Sequence, residues 1–126
     1  MSKRILIIED VDDNRELLVQ FLENEYEIFE AKDGQQGLNM AEKIQPDLIL
    51  LDLSLPILNG WQVSEALKGD ERMRHIPIIA ITAHAMVGDE ERALSAGCDM
   101  YITKPVDFDD LQKMIKRTLE RNHGSQ

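Results

Sequence analysis

Cysteine, basic residues and long apolar runs are all scarce in this 126-residue sequence. A disulfide framework needs paired cysteines and a cysteine-bound metal cluster needs several, so the single Cys98 excludes both. It favours a reducing compartment, and we expect a cytoplasmic protein in which Cys98 packs as a small buried hydrophobe. The 14 basic residues are outnumbered by 24 acidic ones, which gives a net charge of −10. Because this field repels phosphate backbones, we expect no direct binding to nucleic acid.

The lack of long apolar runs bears on targeting. The first run, Ile5–Ile8, stops at Glu9, far short of a signal-peptide core or a membrane-spanning helix, so we expect no membrane insertion.

The length fits one domain over residues 1–126, with a core from 3 to about 121 and a frayed tail at 122–126. Met1 and the short tail favour a free-standing protein over a piece of a longer one.

Five short apolar runs divide the chain at intervals of about twenty residues, which is long enough for helical crossovers between parallel strands. Three of the runs are apolar at every position, as is typical of strands covered on both faces of a sheet. The sequence therefore predicts an α/β protein, a (βα)5 doubly wound parallel five-stranded sheet. The predicted strands are Ile5–Ile8, Ile28–Phe29, Leu48–Leu51, Ile78–Ile81 and Met100–Ile102.

Apolar residues at helical spacing predict a helix after each strand. Gly34 and Pro46 bound the second helix, and Asn59 and Gly60 precede the third. The predicted fourth helix, Val87–Ala96, is the most polar, so we expect it to be the most weakly held and the easiest to shift. The apolar stripes of the other four helices are Leu17, Leu18, Phe21 and Leu22; Leu38, Ala41 and Ile44; Val63, Ala66 and Leu67; and Leu111, Met114, Ile115, Thr118 and Leu119.

Polar side chains stand at the carboxyl ends of the predicted strands, where ligands of doubly wound sheets bind. Three carboxylates would repel one another in a shielded crevice, so a cation must compensate them, and Mg²⁺ suits carboxylate, carbonyl and water ligands. A carboxylate can also attack phosphorus, and Asp52 is the candidate because a rigid strand aims it. The sequence therefore predicts a metal-assisted phosphoryl acceptor built from Glu9, Asp10, Asp52, Thr82 and Lys104.

Four segments of the chain resemble the receiver domain of bacterial two-component response regulators. The resemblance extends from Lys3 to about Arg121 and combines an acidic pair, a phosphoacceptor strand, a Thr-Ala pair and a Lys-Pro pair at successive strand ends. It implies a flavodoxin-like (CheY-like) fold with strand order 2-1-3-4-5, and a signalling switch rather than an enzyme. The segments are Ile5–Asp10, Asp47–Gly60 (DLILLDLSLPILNG), Ile78–Ala83 (IIAITA) and Gly97–Pro105 (GCDMYITKP).

The resemblance also implies roles for the residues at the strand ends. Asp52 would be phosphorylated by a sensor histidine kinase or a histidine phosphotransfer protein. Glu9, Asp10 and Asp52 would bind Mg²⁺ together with the backbone carbonyl of Ser54. Lys104 would contact the phosphoryl group.

The response to phosphorylation is implied in the same way. The hydroxyl of Thr82 would move toward the phosphoryl group, and Tyr101 would rotate inward behind it. The bond between Lys104 and Pro105 is expected to be cis. His84 lies two residues beyond Thr82. In this family, the residue at that position flanks the water that attacks the aspartyl phosphate, so we hypothesise that His84 tunes dephosphorylation.

Two surfaces are expected to bind partner proteins. A downstream target would bind the face formed by the predicted fourth helix, the fifth strand and the fifth helix. The opening EDVDDNRELL resembles receivers of hybrid sensor kinases and cell-cycle relays, in which Asn14 and Arg15 would begin a docking helix. The candidate residues of the target face are Met86, Arg92, Lys113, Lys116 and Arg117.

Several other functions compete with an output regulator. A phosphorelay intermediate and a receiver excised from a hybrid kinase stay open. A phosphatase of the haloacid dehalogenase type would need a second Asp two residues after the nucleophile, where Ser54 stands. A flavodoxin would need a phosphate-binding loop after the first strand, where Glu9 and Asp10 would repel the flavin phosphate.

Overall fold

A computed structural model describes residues 3–53, 55, 59–82, 91 and 94–124. Within them, five strands alternate with four helices, except between β4 and β5, where most residues lie outside the described ranges. The predicted fourth helix, Val87–Ala96, lies largely outside the described residues. The elements are β1 (Arg4–Ile8), α1 (Asp12–Leu22), β2 (Glu27–Ala31), α2 (Gly34–Ile44), β3 (Leu48–Asp52), α3 (Gly60–Gly69), β4 (Ile78–Thr82), β5 (Met100–Thr103) and α4 (Phe108–Gly124).

The strands form one parallel sheet in the order β2-β1-β3-β4-β5. This confirms the α/β fold class, the parallel sheet and the order implied by the resemblance. Every residue of β3 and β4 is buried, and so are the apolar residues of β1. The continuous apolar runs thus mark strands that are covered on both faces.

Two apolar clusters cover the two faces of the sheet. Ala41 of α2 and Val63 and Leu67 of α3 pack on one face. Leu18 and Leu22 of α1, together with Leu111 and Ile115 of α4, pack on the other. The helices therefore hold the central strands rigidly, and the carboxyl ends of β1 and β3 are fixed side by side.

Two helices begin where the sequence supplies a side chain that accepts a backbone N–H. Asp33 caps α2 by accepting from the Gln36 amide at 2.8 Å. Asn59 caps α3 and exchanges hydrogen bonds with Gln62, a reciprocal capping box. The chain leaves α2 through Gln45, whose backbone is left-handed. The predicted boundaries at Gly34, Pro46 and Asn59 are confirmed, whereas Gly60 is the first residue of α3 and does not precede it.

The sequence predicted that Leu17 and Ala66 face the sheet, and for both residues this is wrong. Leu17 is 53% exposed, since α1 is turned so that Arg15, Leu18 and Leu22 face the sheet. Ala66 is exposed because α3 buries Val63, Ser64 and Leu67 instead. Cys98 is buried as expected and donates to Ser64 Oγ at 3.4 Å.

Within the described part of the chain, no helix combines the length and the apolar character that a membrane span requires.

Candidate acidic phosphoryl-acceptor site

Three carboxylates gather at the carboxyl edge of the sheet, and we call Glu9, Asp10 and Asp52 the acidic cluster. One carboxylate oxygen from each lies within 4.8 Å of the others. Glu9 and Asp52 are buried, whereas Asp10 is exposed. The cluster therefore has two fixed, shielded carboxylates and one that faces solvent.

Asp52 is fixed because it is the last residue of β3 and because the chain beyond it is tied down. The Leu53 amide donates to the Ile81 carbonyl at 3.0 Å. The Gly60 amide donates to the Leu53 carbonyl at 3.2 Å, which brings the start of α3 against the end of β3. A Cβ atom at Gly60 would lie 2.6 Å from the Asp52 carbonyl oxygen, so only glycine allows this approach.

Lys104 joins the two buried carboxylates from β5's side of the sheet. Its Nζ atom lies 3.0 Å from Glu9 Oε1 and 3.3 Å from Asp52 Oδ2. The second Glu9 oxygen accepts from the Val11 amide at 3.1 Å. Both Glu9 carboxylate oxygens are thus engaged, and one ammonium faces three carboxylates.

The site has more carboxylates than cations, and the pKa values of Glu9 and Lys104 are both raised. Burial, a hydrogen bond with Asp52 and the negative charge of Asp52 raise the pKa of Glu9 to about 7. Burial lowers the pKa of Lys104, but its hydrogen bond to Glu9 and the charges of Asp52 and Glu9 outweigh this and leave it above its ordinary value. Glu9 therefore retains a proton at a pH where an exposed glutamate has lost it.

A divalent cation suits this set of donors. Mg²⁺ prefers oxygen ligands, takes one or two carboxylates and keeps several waters. The acidic cluster supplies carboxylates on one side, and exposed Asp10 leaves the other side open to water. The residues present therefore fit Mg²⁺, and its two charges would replace the proton that Glu9 retains.

Arg15 is part of the site and was not predicted to be. It was expected to begin a docking helix, but it is only 7% exposed. Its Nη1 atom donates to the Glu9 carbonyl at 3.0 Å, its Nε atom to Glu30 Oε1 at 3.1 Å, and its Nη2 atom to Asp12. The only sequence signal for this role is a basic residue six positions after the first acidic one, within the first turns of the helix.

The predicted switch residues lie on β4 and β5. Thr82 ends β4 and is buried, and Tyr101 is half-buried against the apolar cluster that α2 and α3 cover. Tyr101 pairs with Ala80 in the sheet, so strand alternation places Thr82 and Tyr101 on the same face. The peptide bond between Lys104 and Pro105 is cis. Ser54 and His84 lie outside the described residues.

The expected target face is described only in part. Lys113, Lys116 and Arg117 are exposed on α4, as such a face requires. Met86 and Arg92 lie outside the described residues.

An apolar groove of about 220 Å³ opens beside the site, between α1 and the segment that joins β5 to α4. Leu17 lines it and is half exposed. Lys104 also lines the groove, so the groove lies beside a residue that contacts Glu9 and Asp52. Its other lining residues are Asn14, Leu18, Ile81, Pro105, Val106 and Phe108.

Comparison with known proteins agrees with this geometry. The model of the response regulator receiver domain matches residues 5–116. The polar-differentiation response regulator DivK of Brucella ovis is 42% identical over 120 residues, which are 94% of this chain and 98% of the relative.

Solved structures share the fold over nearly the whole chain. A CheY-like receiver domain protein from Methanospirillum hungatei has a TM-score of 0.93 and 31% identity, and the match covers 100% of both chains. The receiver domain of a sensor histidine kinase from Pseudomonas aeruginosa has a TM-score of 0.88 and 34% identity, covering 95% of this chain and 99% of its own. That structure holds a magnesium ion in its active site cleft. The chain belongs to the receiver domain family of two-component response regulators.

Proposed function

We propose that Asp52 accepts a phosphoryl group from a sensor histidine kinase or a histidine phosphotransfer protein in a Mg²⁺-dependent reaction. The observation that carries the proposal is the buried Asp52 carboxylate, held at the end of a rigid strand next to one ammonium and two further carboxylates. This arrangement supplies a nucleophile, charge compensation and an open side toward solvent. Phosphoryl transfer needs positioning and charge neutralisation more than acid–base chemistry.

In the transfer step, an oxygen of the Asp52 carboxylate forms a bond to phosphorus while the phosphorus–nitrogen bond of the donor histidine breaks. The imidazole leaves with the bonding pair, and the product is an aspartyl phosphate. Glu9, Asp10 and Asp52, with the Ser54 carbonyl, would hold Mg²⁺, which would neutralise the phosphoryl oxygens as they approach. Lys104 adds a positive charge beside Asp52, within 3.3 Å of its carboxylate.

The phosphoryl donor would dock on the groove beside the site. An apolar groove that includes the exposed Leu17 and reaches Lys104 suits a partner helix that must bring its histidine to Asp52. Leu17 is the residue to test because its side chain is exposed and does not belong to the acidic cluster. Leu17→Gln should slow transfer from a phosphotransfer protein but not from acetyl phosphate, and equal slowing with both donors would contradict docking here.

The response would pass through Thr82 and Tyr101, which share a face of the sheet. The hydroxyl of Thr82 would donate to a phosphoryl oxygen, and Tyr101 would fill the space that it leaves. A shift of this kind changes the face of the predicted fourth helix, β5 and α4, where a target protein would bind. A covalent phosphoryl group can drive the shift only because it interacts differently with the two states.

Two further parts of the proposal rest on the sequence alone. His84 and Ser54 would flank the water that attacks the aspartyl phosphate, and an unchanged decay rate in His84→Ala would contradict this for His84. We also propose that the reaction takes place in the cytoplasm, because a single cysteine favours a reducing compartment.

The first experiment is the mass of the intact protein after incubation with acetyl phosphate, with and without Mg²⁺. The wild type should gain one phosphoryl group only when Mg²⁺ is present, and Asp52→Asn should gain none. Asp47→Asn is the matched control, since Asp47 lies at the opposite end of β3, where it accepts from the Arg4 amide. An adduct that persists in Asp52→Asn would contradict the proposal.

A further inference from the structure

Arg15 is the most buried cation among the described residues, and its three donor groups have three different partners. The guanidinium joins the Glu9 carbonyl at the end of β1, Glu30 in β2 and Asp12 in the first turn of α1. Asp12 and Glu30 are largely exposed, so the guanidinium is the only buried member of these ion pairs. An arginine kept for solubility alone would not be buried in this way.

The contact with the Glu9 carbonyl fixes more than one atom. A peptide group is planar, so the Glu9 carbonyl and the Asp10 amide turn together. The Glu9 amide is already bonded to the Ala31 carbonyl at 3.1 Å, and Arg15 holds the other end of the same residue at 3.0 Å. Arg15 therefore sets the direction in which the chain presents the Asp10 side chain.

Asp10 depends on this restraint. Glu9 is held through its carboxylate by Lys104 and the Val11 amide. Within the described residues, no side chain donates to the Asp10 carboxylate, which is exposed. Its place in the acidic cluster is thus determined by the backbone on which it stands.

We propose that Arg15 is a positioning residue that orients the Glu9–Asp10 peptide, and through it the Asp10 carboxylate, for divalent cation binding. This rests on the proposed Mg²⁺ site and adds the element that builds it. Residues that orient metal ligands commonly affect metal affinity roughly ten- to a hundredfold.

The sign of the effect separates positioning from simple electrostatics. Removing a positive charge beside three carboxylates strengthens their attraction for Mg²⁺. If Arg15 acted only through its charge, Arg15→Met would bind Mg²⁺ more tightly and Arg15→Lys would bind it as the wild type does. Positioning requires both variants to bind more weakly, because neither a thioether nor an ammonium can hold three partners in one plane.

The test is the dissociation constant of Mg²⁺ measured by calorimetry on the unphosphorylated protein, with urea unfolding to establish that each variant is folded. We expect Arg15→Lys and Arg15→Met to bind roughly tenfold more weakly or worse. Arg72→Met is the matched control, since Arg72 also pairs with two carboxylates, Asp70 and Glu42, but is 61% exposed and precedes β4 at the opposite edge of the sheet. Its affinity should equal that of the wild type.

A second pair of variants keeps the test decisive if the Arg15 variants fail to fold. Asp12→Ala and Asp13→Ala each remove one exposed carboxylate from the first turn of α1, but only Asp12 holds Arg15. Asp12→Ala should weaken Mg²⁺ binding more than Asp13→Ala, and equal values would contradict the proposal. So would wild-type or tighter affinity in both Arg15 variants. A wild-type protein that binds no Mg²⁺ would instead contradict the proposed metal site itself.

Discussion

Lys104 carries the positive charge that allows Glu9 and Asp52 to lie side by side without a metal. In Lys104→Met both contacts are lost, and only the proton on Glu9 relieves the repulsion between the two carboxyl groups. Hydrogen bonds between charged groups contribute about 2 kcal/mol, so we expect the free energy of unfolding to fall by about that much in the presence of a chelator. Mg²⁺ should restore more stability in this variant than in the wild type, because it supplies the missing charge.

Urea unfolding with chelator and with Mg²⁺ measures both effects. Lys113→Met is the control, since it removes an exposed lysine from α4. Equal recovery by Mg²⁺ in Lys104→Met and in the wild type would show that Lys104 and the cation do not share a role.

At the same scale, the sequence predicted the residues whose position depends only on the strands. Glu9, Asp52, Thr82 and Lys104 were found because the carboxyl ends of parallel strands meet at one edge. Arg15 was missed because its role depends on how α1 is rotated about its axis. Helical spacing alone does not say which of two adjacent residues faces the sheet. Successive residues point in directions about 100° apart around the helix axis.

Among the elements, α3 begins directly against the end of β3, through Gly60. A Cβ atom there would lie 2.4 Å from the Leu53 Cα atom and 2.6 Å from the Asp52 carbonyl oxygen, and neither backbone atom can move alone. Gly60→Ala should therefore push α3 away from the end of β3. Overpacking of this kind costs about 1–3 kcal/mol of unfolding free energy, and it should also slow phosphorylation of Asp52.

Gly69→Ala is a matched control at the other end of the same helix. A Cβ atom at Gly69 would meet nothing within 4 Å, and alanine favours a helix by up to about 1 kcal/mol over glycine. This variant should be as stable as the wild type or more so, with the same rate of phosphorylation by acetyl phosphate. A Gly60→Ala protein that matches Gly69→Ala in both measurements would contradict the close approach.

The faces of the helices were predicted less well than the helices themselves. Leu17 and Ala66 each lie one residue from a buried position, so a stripe counted from apolar residues alone included them. The buried face of α1 contains Arg15 and that of α3 contains Ser64, two polar residues that no apolar pattern counts. Some polar residues are buried because they make a specific contact, as Ser64 Oγ does with the Ala96 carbonyl. A pattern of apolar residues alone therefore does not identify the buried face.

For the whole molecule, the periodicity of the sequence determined the class of fold but not the order of its strands. Continuous apolar runs predicted a parallel sheet buried on both faces, and β3 and β4 have that character. The runs set β2 and β5 apart from the fully apolar β1, β3 and β4, but they do not say which strands are neighbours, and the order came from the family resemblance. The order matters for function because it places β1 beside β3, and hence Glu9 beside Asp52.

The stability of the whole protein should depend on pH through Glu9. Its pKa is raised from 4.5 to about 7 in the folded state, so between these values the folded protein holds a proton that the unfolded chain has lost. The stabilisation is complete below pH 4.5, decreases as the pH rises, and is lost once the pH passes about 7. Without metal, the free energy of unfolding should therefore fall across this range.

Urea unfolding in chelator at several pH values tests this with Glu9→Gln, which cannot titrate. The free energy of unfolding of the wild type should fall relative to that of Glu9→Gln as the pH rises toward 7, and Glu16→Gln corrects for the loss of one charge from a chain of net charge −10. A difference that stays constant would mean that Glu9 has the same pKa in the folded protein as in the unfolded chain. Because Mg²⁺ must displace the same proton, its stabilising effect should grow over the pH range in which the wild type loses stability, which couples cation binding to the protonation of one buried carboxyl group.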